Sequence, residues 1–376
     1  MDLELNDDQA SLRSVALDLL DARVPLSLPR SFLEGDGDPS ALWQEFAELG
    51  WYGVGSDLGG EDGFGLPGLC VLAAGIGGHA APSLVADTVI VARIAAGGEG
   101  VRNRWAQLLT DGTVTAAFAH LEATGSWNLD GITTRAAGSG SYVVNGTKVG
   151  VHHGLYAGAF AVTVVADGGP ALVLVPRDAV GVEVEQESSI DPSSGSCTVR
   201  LSDVTVGPEC VLAMPKSGRA LQSAFDVGAV VSAAECVGAA SRCLDMAVAY
   251  SQERKQYGRA IGSFQALQHL LAERHVLRET AWSAILYAAA AIDDGLEESS
   301  EASSVAKAHA ARAARQITEA AMQVFGGIAF TWEHDVHLLA RRALAAERHF
   351  GDGLHHERVL SKRLATRGRA VAGHAK

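Results

Sequence analysis

Two segments late in the chain combine the residue types that hold a phosphate-bearing ligand. The first, Glu253-Arg-Lys-Gln-Tyr-Gly-Arg-Ala-Ile-Gly-Ser-Phe-Gln, places Arg254 and Gln256 before a glycine break, and Phe264 and Gln265 after it. Arg254 offers a forked cation for a phosphate, and Tyr257 or Phe264 a face for stacking. The second, Gln323-Val-Phe-Gly-Gly, joins Gln323 and Phe325 to the pair Gly326-Gly327, where backbone N–H groups can approach a ligand because no Cβ intervenes. Either segment alone also reads as a helix–helix corner with incidental charge. Generic catalytic signatures (GxSxG, HExxH, a Walker loop) do not occur. The histidines group as His152-His153, His334 with His337, and His355-His356. Adjacent residues point in different directions, so the paired ones do not chelate one metal and read as surface or hydrogen-bonded side chains. No metal is expected. Gly53-Val-Gly-Ser-Asp-Leu-Gly departs from GxGxxG and lacks a clear preceding strand, so it reads as a connector.

The elements that must carry these segments fall into three blocks. Residues 1–112 read as helical: Asn6 or Asp7 can cap a helix whose Leu12, Val15, Leu19 and Leu20 recur at helical spacing. Gly50 stops a second helix, and an alanine-rich one starts near Leu66 after the loop at 53–65. Residues 113–215 change texture, with β-branched runs beginning at Val114, Tyr142, Ala159, Ala171, Val182 and Cys197. Asn145-Gly146, Asp167-Gly168 and Ser194-Gly195 supply hairpin-type turns. Strands at this spacing without helices between them predict an antiparallel barrel or sandwich. Residues 216–376 return to long helices with short breaks at 258–263, 293–300, 326–327 and 351–353, which predicts an antiparallel bundle. The expected class is therefore α+β multidomain: helical domain, β domain, helix bundle.

Composition sets outer bounds. The 376 residues are 48% hydrophobic and 20% charged, so the chain can build a large core and is not disordered. The net charge of −14 argues against nucleic acid or an anionic membrane as main partner, while a local arginine cluster can still take an anionic small molecule. Five cysteines with no paired spacing read as reduced thiols. No signal-like segment and no long uninterrupted apolar run appear, so the expected compartment is the cytoplasm.

Taken together, the blocks and the two segments resemble the acyl-CoA dehydrogenases over essentially the whole chain. Arg254-Lys-Gln-Tyr-Gly with Phe264-Gln265 is similar to that family's RxxFG segment and the F/H-Q that follows it, and Gln323-Val-Phe-Gly-Gly to its QxxGG segment. Leu49-Gly-Trp, Asn145-Gly-Thr-Lys and Leu201-Ser-Asp-Val-Thr-Val agree with it. The resemblance implies FAD as cofactor, an acyl-CoA substrate, α,β-dehydrogenation, and an electron-transfer flavoprotein or similar acceptor. It also implies that Arg254, Gln256, Phe264, Gln265, Gln323, Phe325, Gly326 and Gly327 touch the adenine and pyrophosphate of a flavin held mainly by a neighbouring subunit.

The chain departs from the family where the chemistry should be. Phe350 stands in place of the glutamate base, and Val227 and Gly228 replace the Glu-Arg that serves in other members. Gly150-Val-His-His occupies the segment that usually packs the flavin ring and bonds flavin N5, and Leu121-Glu-Ala-Thr-Gly-Ser-Trp stands for the hydroxyl-bearing segment beside it. Contacts in trans are kept while those for the chain's own ring are altered. This pattern resembles the heteromeric α2β2 subgroup, whose members act on bulky CoA thioesters, notably steroid side chains. The leading expectation is a base-lacking subunit paired with a homologous catalytic chain. A self-sufficient flavoenzyme using Glu235, Glu347 or Asp352, or doing different flavin chemistry, is the first alternative. A flavin-free scaffold of the same fold is the second.

Overall fold

The computed structural model describes residues 4–56, 64–97, 104–214 and 218–374. Among the described residues six α-helices open the chain: α1 (Asp7–Arg23), α2 (Ser27–Glu34), α3 (Ser40–Glu48), α4 (Gly65–Gly78), α5 (Val85–Gly97) and α6 (Trp105–Thr110). Asn6 caps α1 as predicted, its side chain accepting from the Gln9 N–H while Gln9 reaches back to the Asn6 N–H. Gly50 takes φ +71° just past α3. Most of the loop predicted at 53–65 lies outside the described residues.

Eight strands follow: β1 (Ala116–Ala119), β2 (Arg135–Ala137), β3 (Tyr142–Val151), β4 (Ala159–Ala166), β5 (Gly169–Pro176), β6 (Val182–Gln186), β7 (Cys197–Val206) and β8 (Val211–Ala213). They pair in the order β6-β7-β3-β2-β4-β5-β8, with β1 beside β4. The sheet is mostly antiparallel, but β1 and β2 each run parallel to β4. Connections long enough to return the chain in the same direction permit this. Asn145-Gly146 is not a turn, as its dipeptide type suggests; it lies inside β3, where the register against β7 shifts around Gly146.

A long-helix bundle completes the fold: α7 (Gly218–Glu253), α8 (Gln265–Asp293), α9 (Ser299–Phe325), α10 (Val336–Arg348) and α11 (Gly353–His374). Between α7 and α8 lies a two-stranded ribbon, β9 (Lys255–Gln256) with β10 (Arg259–Ala260). Among the described residues α7 is long and apolar enough to cross a membrane, yet 83% of its most apolar window is buried inside the fold. It is the central core helix. Small residues let α4 lie directly on it: a Cβ at Gly77 would stand 2.0 Å from the Glu235 carbonyl oxygen, and one at Gly238 2.0 Å from that of Ala74.

One side chain ties the three blocks together. Arg342 on α10 is completely buried and donates to Asp191 and Ser193 before β7, to Glu235 on α7, and to the Ala80 and Ala81 carbonyls after α4. Each neighbour takes a share of a charge that could not be buried alone.

Candidate functional site

The predicted ligand-holding residues gather at one end of the bundle. Tyr257 and Gly258, both left-handed at φ +51° and +80°, make the tight turn of the β9–β10 ribbon, and Tyr257 is 93% exposed. Arg254, just before β9, is exposed and makes no side-chain hydrogen bond or ion pair among the described residues. Gln256 is exposed and donates its amide to the Lys255 carbonyl. Phe264 is half-buried with the Arg259 guanidinium 4.0 Å over its ring. Gln265 and Gln323 are exposed at the start of α8 and the last turn of α9. Phe325 instead belongs to the core: only 7% exposed, it packs 4.8 Å from the Tyr250 ring and 4.3 Å from His334. With Ile261 and Leu267 in the same cluster, it joins the two segments from below.

Gly326 adopts φ +67° and ψ −141°, a combination open in practice only to glycine. A Cβ at Gly326 or Gly327 would meet nothing within 4 Å. The space over these two glycines is open, although the Gly326 N–H is spent on the Met322 carbonyl, and it lies on the same end of the bundle as the uncommitted cation of Arg254. Such a donor set suits a pyrophosphate.

The two family base positions are both inside and both apolar. Val227 is buried on α7, and Phe350, 2% exposed at φ +57°, follows the end of α10. The Phe350 ring lies 5.6 Å from Trp127, 5.0 Å from Phe118 and 6.2 Å from Phe225. Gly228 makes room for it, since a Cβ there would approach the ring to 2.3 Å. None of Val227, Phe350, Trp127, Phe118 and Phe225 can take a proton from carbon.

Beside the block opens a cavity of about 380 Å³ lined by Leu121, Trp127, Gly150, His152, Arg348 and His349, among others. The fold thus brings the 121–127 and 150–153 segments together on one wall and the end of α10 on the other. His152 and His153 are not the surface or hydrogen-bonded side chains expected. Both are buried, with ring centroids 4.4 Å apart, and His152 Nε2 and His153 Nδ1 have no hydrogen-bond partner. They follow the end of β3, where His153 at φ +53° donates its backbone N–H to the Ser194 carbonyl. Burial holds both imidazoles below their ordinary pKa. No sequence periodicity marks them, because α10 buries them from far along the chain. His356 is also buried, with Nε2 against the Phe350 carbonyl oxygen at 2.9 Å.

The three acids considered as alternative bases are otherwise occupied. Glu235 pairs with Arg342 at 3.1 Å. Glu347 is no surface acid: its buried carboxylate takes two bonds from Arg315 at 2.9 and 3.1 Å. Asp352 accepts from the His355 N–H at the start of α11. A further pair escaped the sequence reading. Lys148, fully buried on β3, donates to Glu122 at 2.8 Å and to the His120 carbonyl and Thr163 hydroxyl. Its place at alternate spacing from Val144 on the inward face of the strand was the available signal. Among the described residues no three His, Cys, Asp or Glu side chains converge as a metal site.

The family model described as acyl-CoA dehydrogenase, C-terminal domain, matches residues 217–365. Acyl-CoA dehydrogenase IpdE2 of Mycolicibacterium smegmatis is 45% identical over 123 residues, 32% of this chain and 37% of that one. FadE34 of Mycobacterium tuberculosis is 33% identical over 316 residues, 83% of this chain but 40% of its own length. The chain therefore matches well under half the length of these two relatives. FadE12 of M. tuberculosis is 32% identical over 319 residues, covering 79% of this chain and 80% of that one. Among solved structures, a variant of the Tcur3481-Tcur3483 steroid ACAD superposes with a TM-score of 0.86 at 25% identity, covering 97% of this chain and all of that one.

Proposed function

Because the chain belongs to the acyl-CoA dehydrogenase family, we propose that it serves as one subunit of an FAD-dependent acyl-CoA dehydrogenase, contributing flavin contacts to a homologous chain that carries the carboxylate base. The assembly in this reading is an α2β2 tetramer, acting on a bulky acyl-CoA and passing electrons to an electron-transfer flavoprotein or similar acceptor. The observation that carries it is the contrast between two ends of the bundle. At one end the Arg254 side chain is uncommitted and the space over Gly326-Gly327 is open, a Cβ there meeting nothing within 4 Å. At the other, both base positions are filled by buried apolar side chains. The steroid ACAD among the structural neighbours, named for two components, supports a two-chain enzyme with a large acyl group.

In this reading Arg254 pairs with the pyrophosphate, Gly326 and Gly327 let it approach the backbone closely because no Cβ intervenes, and Gln256, Gln265 and Gln323 flank the adenine with the Phe264 ring. Phe325 holds that surface in shape from the core. FAD, when bound, supplies the acceptor for the hydride that leaves the β carbon of the acyl group. What this chain supplies is position and exclusion of water.

The test is the flavin-to-polypeptide ratio from visible absorption. The chain alone should retain almost none, and co-expression with a homologous chain should give about one flavin per two chains. Arg254→Ala should weaken retention about 10- to 100-fold, as expected for loss of a hydrogen bond to a charged group at about 1.5–3 kcal/mol. A ratio near one for the chain alone would overturn the shared-site reading.

A further inference from the structure

The inner wall of the 380 Å³ cavity is formed by the rings of His152 and His349, 4.7 Å apart. Behind them is a second void of about 10 Å³, room for one water, bordered by the same two rings together with Asp87, His153, Ser232, Glu235 and Phe350. His349 Nε2 has no hydrogen-bond partner and lies 3.7 Å from Asp87 Oδ1. The other Asp87 oxygen is fixed by the Phe118 N–H at 3.0 Å. His152, His153 and His356 also carry an unpartnered buried ring nitrogen, so what sets His349 apart is its place. This one stands between a ligand-sized cavity and an anchored carboxyl, one residue before the position where the family keeps its base.

We propose that His349 is an acid–base group for this chain's own cavity, taking the α-proton of an acyl thioester seated there, with Asp87 as the positioning residue behind it. The α C–H bond breaks, the proton passes to an imidazole nitrogen, and the electron pair stays on the α carbon, delocalised into the thioester carbonyl. Return of a proton from the same imidazole, after exchange with water, restores the thioester. No oxidant is needed for this half-reaction. The inference rests on the reading that the chain handles acyl thioesters, and it gives the subunit that lacks the carboxylate a proton-transfer site of its own.

The groups that face the pair set its pH response. Glu235 comes from α7, His152 and His153 from the end of β3 and Lys307 from α9, with Arg342 of α10 acting on the two β3 histidines. Burial holds His349 well below the ordinary histidine pKa, with His152 and Lys307 acting in the same direction. Burial also pushes Asp87 up to about 8, against the Phe118 N–H, with Glu235 adding to the rise. At neutral pH Asp87 is therefore protonated and His349 neutral; loss of the Asp87 proton leaves a carboxylate facing the imidazole, which makes it the stronger base toward the α-proton. Exchange should rise as pH increases through about 8 and then level off.

The experiment is α-proton exchange of hexanoyl-CoA in D2O, catalysed by the full chain without a partner and followed by mass spectrometry from pH 6 to 9. Wild type should incorporate deuterium, and His349→Gln should be at least about 100-fold slower, the usual size of a general-base contribution. Asp87→Asn keeps the Phe118 contact and should lose the step near pH 8, a change that a purely structural role would not produce. It also serves as the second variant if His349→Gln does not fold. Absence of exchange in wild type, or exchange unaltered in both variants, overturns the proposal. The flavin ratio is read separately: flavin shared with a partner but no exchange sinks only this inference. Exchange by a chain that holds a full flavin alone sinks only the shared-site reading.

Discussion

Phe350 occupies a backbone conformation at φ +57° that side chains rarely adopt, and its ring takes the volume that a Cβ at Gly228 would need. The two positions are therefore one solution: an apolar ring in place of a carboxylate, and a helix glycine that lets it in. Gly228→Ala should force the ring out of its block and destabilise the protein by about 1–3 kcal/mol, the usual cost of overpacking. Adding Phe350→Gly, which removes both the ring and the strain, should cost less than the sum of the single changes. Thermal melts of the three variants check this. The sequence located both residues by counting from a motif. It could not show that they fit each other, because that complementarity joins a position on α7 to one past the end of α10.

At the scale of elements, β3 holds the altered cavity wall in place, and Lys148 is its anchor. Burial alone would raise the Glu122 carboxyl, but the Lys148 ammonium and the donors of Thr133 and Thr134 outweigh it and hold it well below the usual carboxylate range. A group depressed in this way stabilises the fold above its unfolded pKa near 4.5, and that stability is lost as pH falls further. Glu122→Gln leaves Lys148 buried without its counter-charge and should cost about 3–5 kcal/mol at pH 7. The gap to wild type should narrow between pH 5 and 3, as measured by denaturant unfolding. The strands and long helices were largely legible because period-2 and period-3.6 patterns run long enough to read. α2, β2 and β8 were not, since three to eight residues give no periodic signal. The bulge at Gly146 was misread because Asn-Gly serves a tight turn and a bulge equally well.

For the whole molecule, the decisive contacts are those that no local pattern encodes. Arg342 gathers partners from three separate stretches of chain, and nothing around it in sequence distinguishes it from the neighbouring Arg341. The same holds for the histidines at the cavity wall, which only the meeting of β3, α5 and α10 places together. The end of the bundle proposed to hold the ligand was legible for the opposite reason: its residues lie in two short segments whose glycines and polar groups are read directly.

The β9–β10 turn has one more consequence. It carries Arg254, Lys255 and Arg259 around an outstanding Tyr257 within six residues, all exposed. Surface tips of this kind are where proteases enter first. Trypsin should nick the isolated chain there, between α7 and α8, leaving two fragments held together by the core. Docking of a homologous chain with its flavin over this tip should slow the nick by an order of magnitude or more. The rate of a single cut then becomes a footprint, reporting whether two chains have met at this surface without any need for turnover.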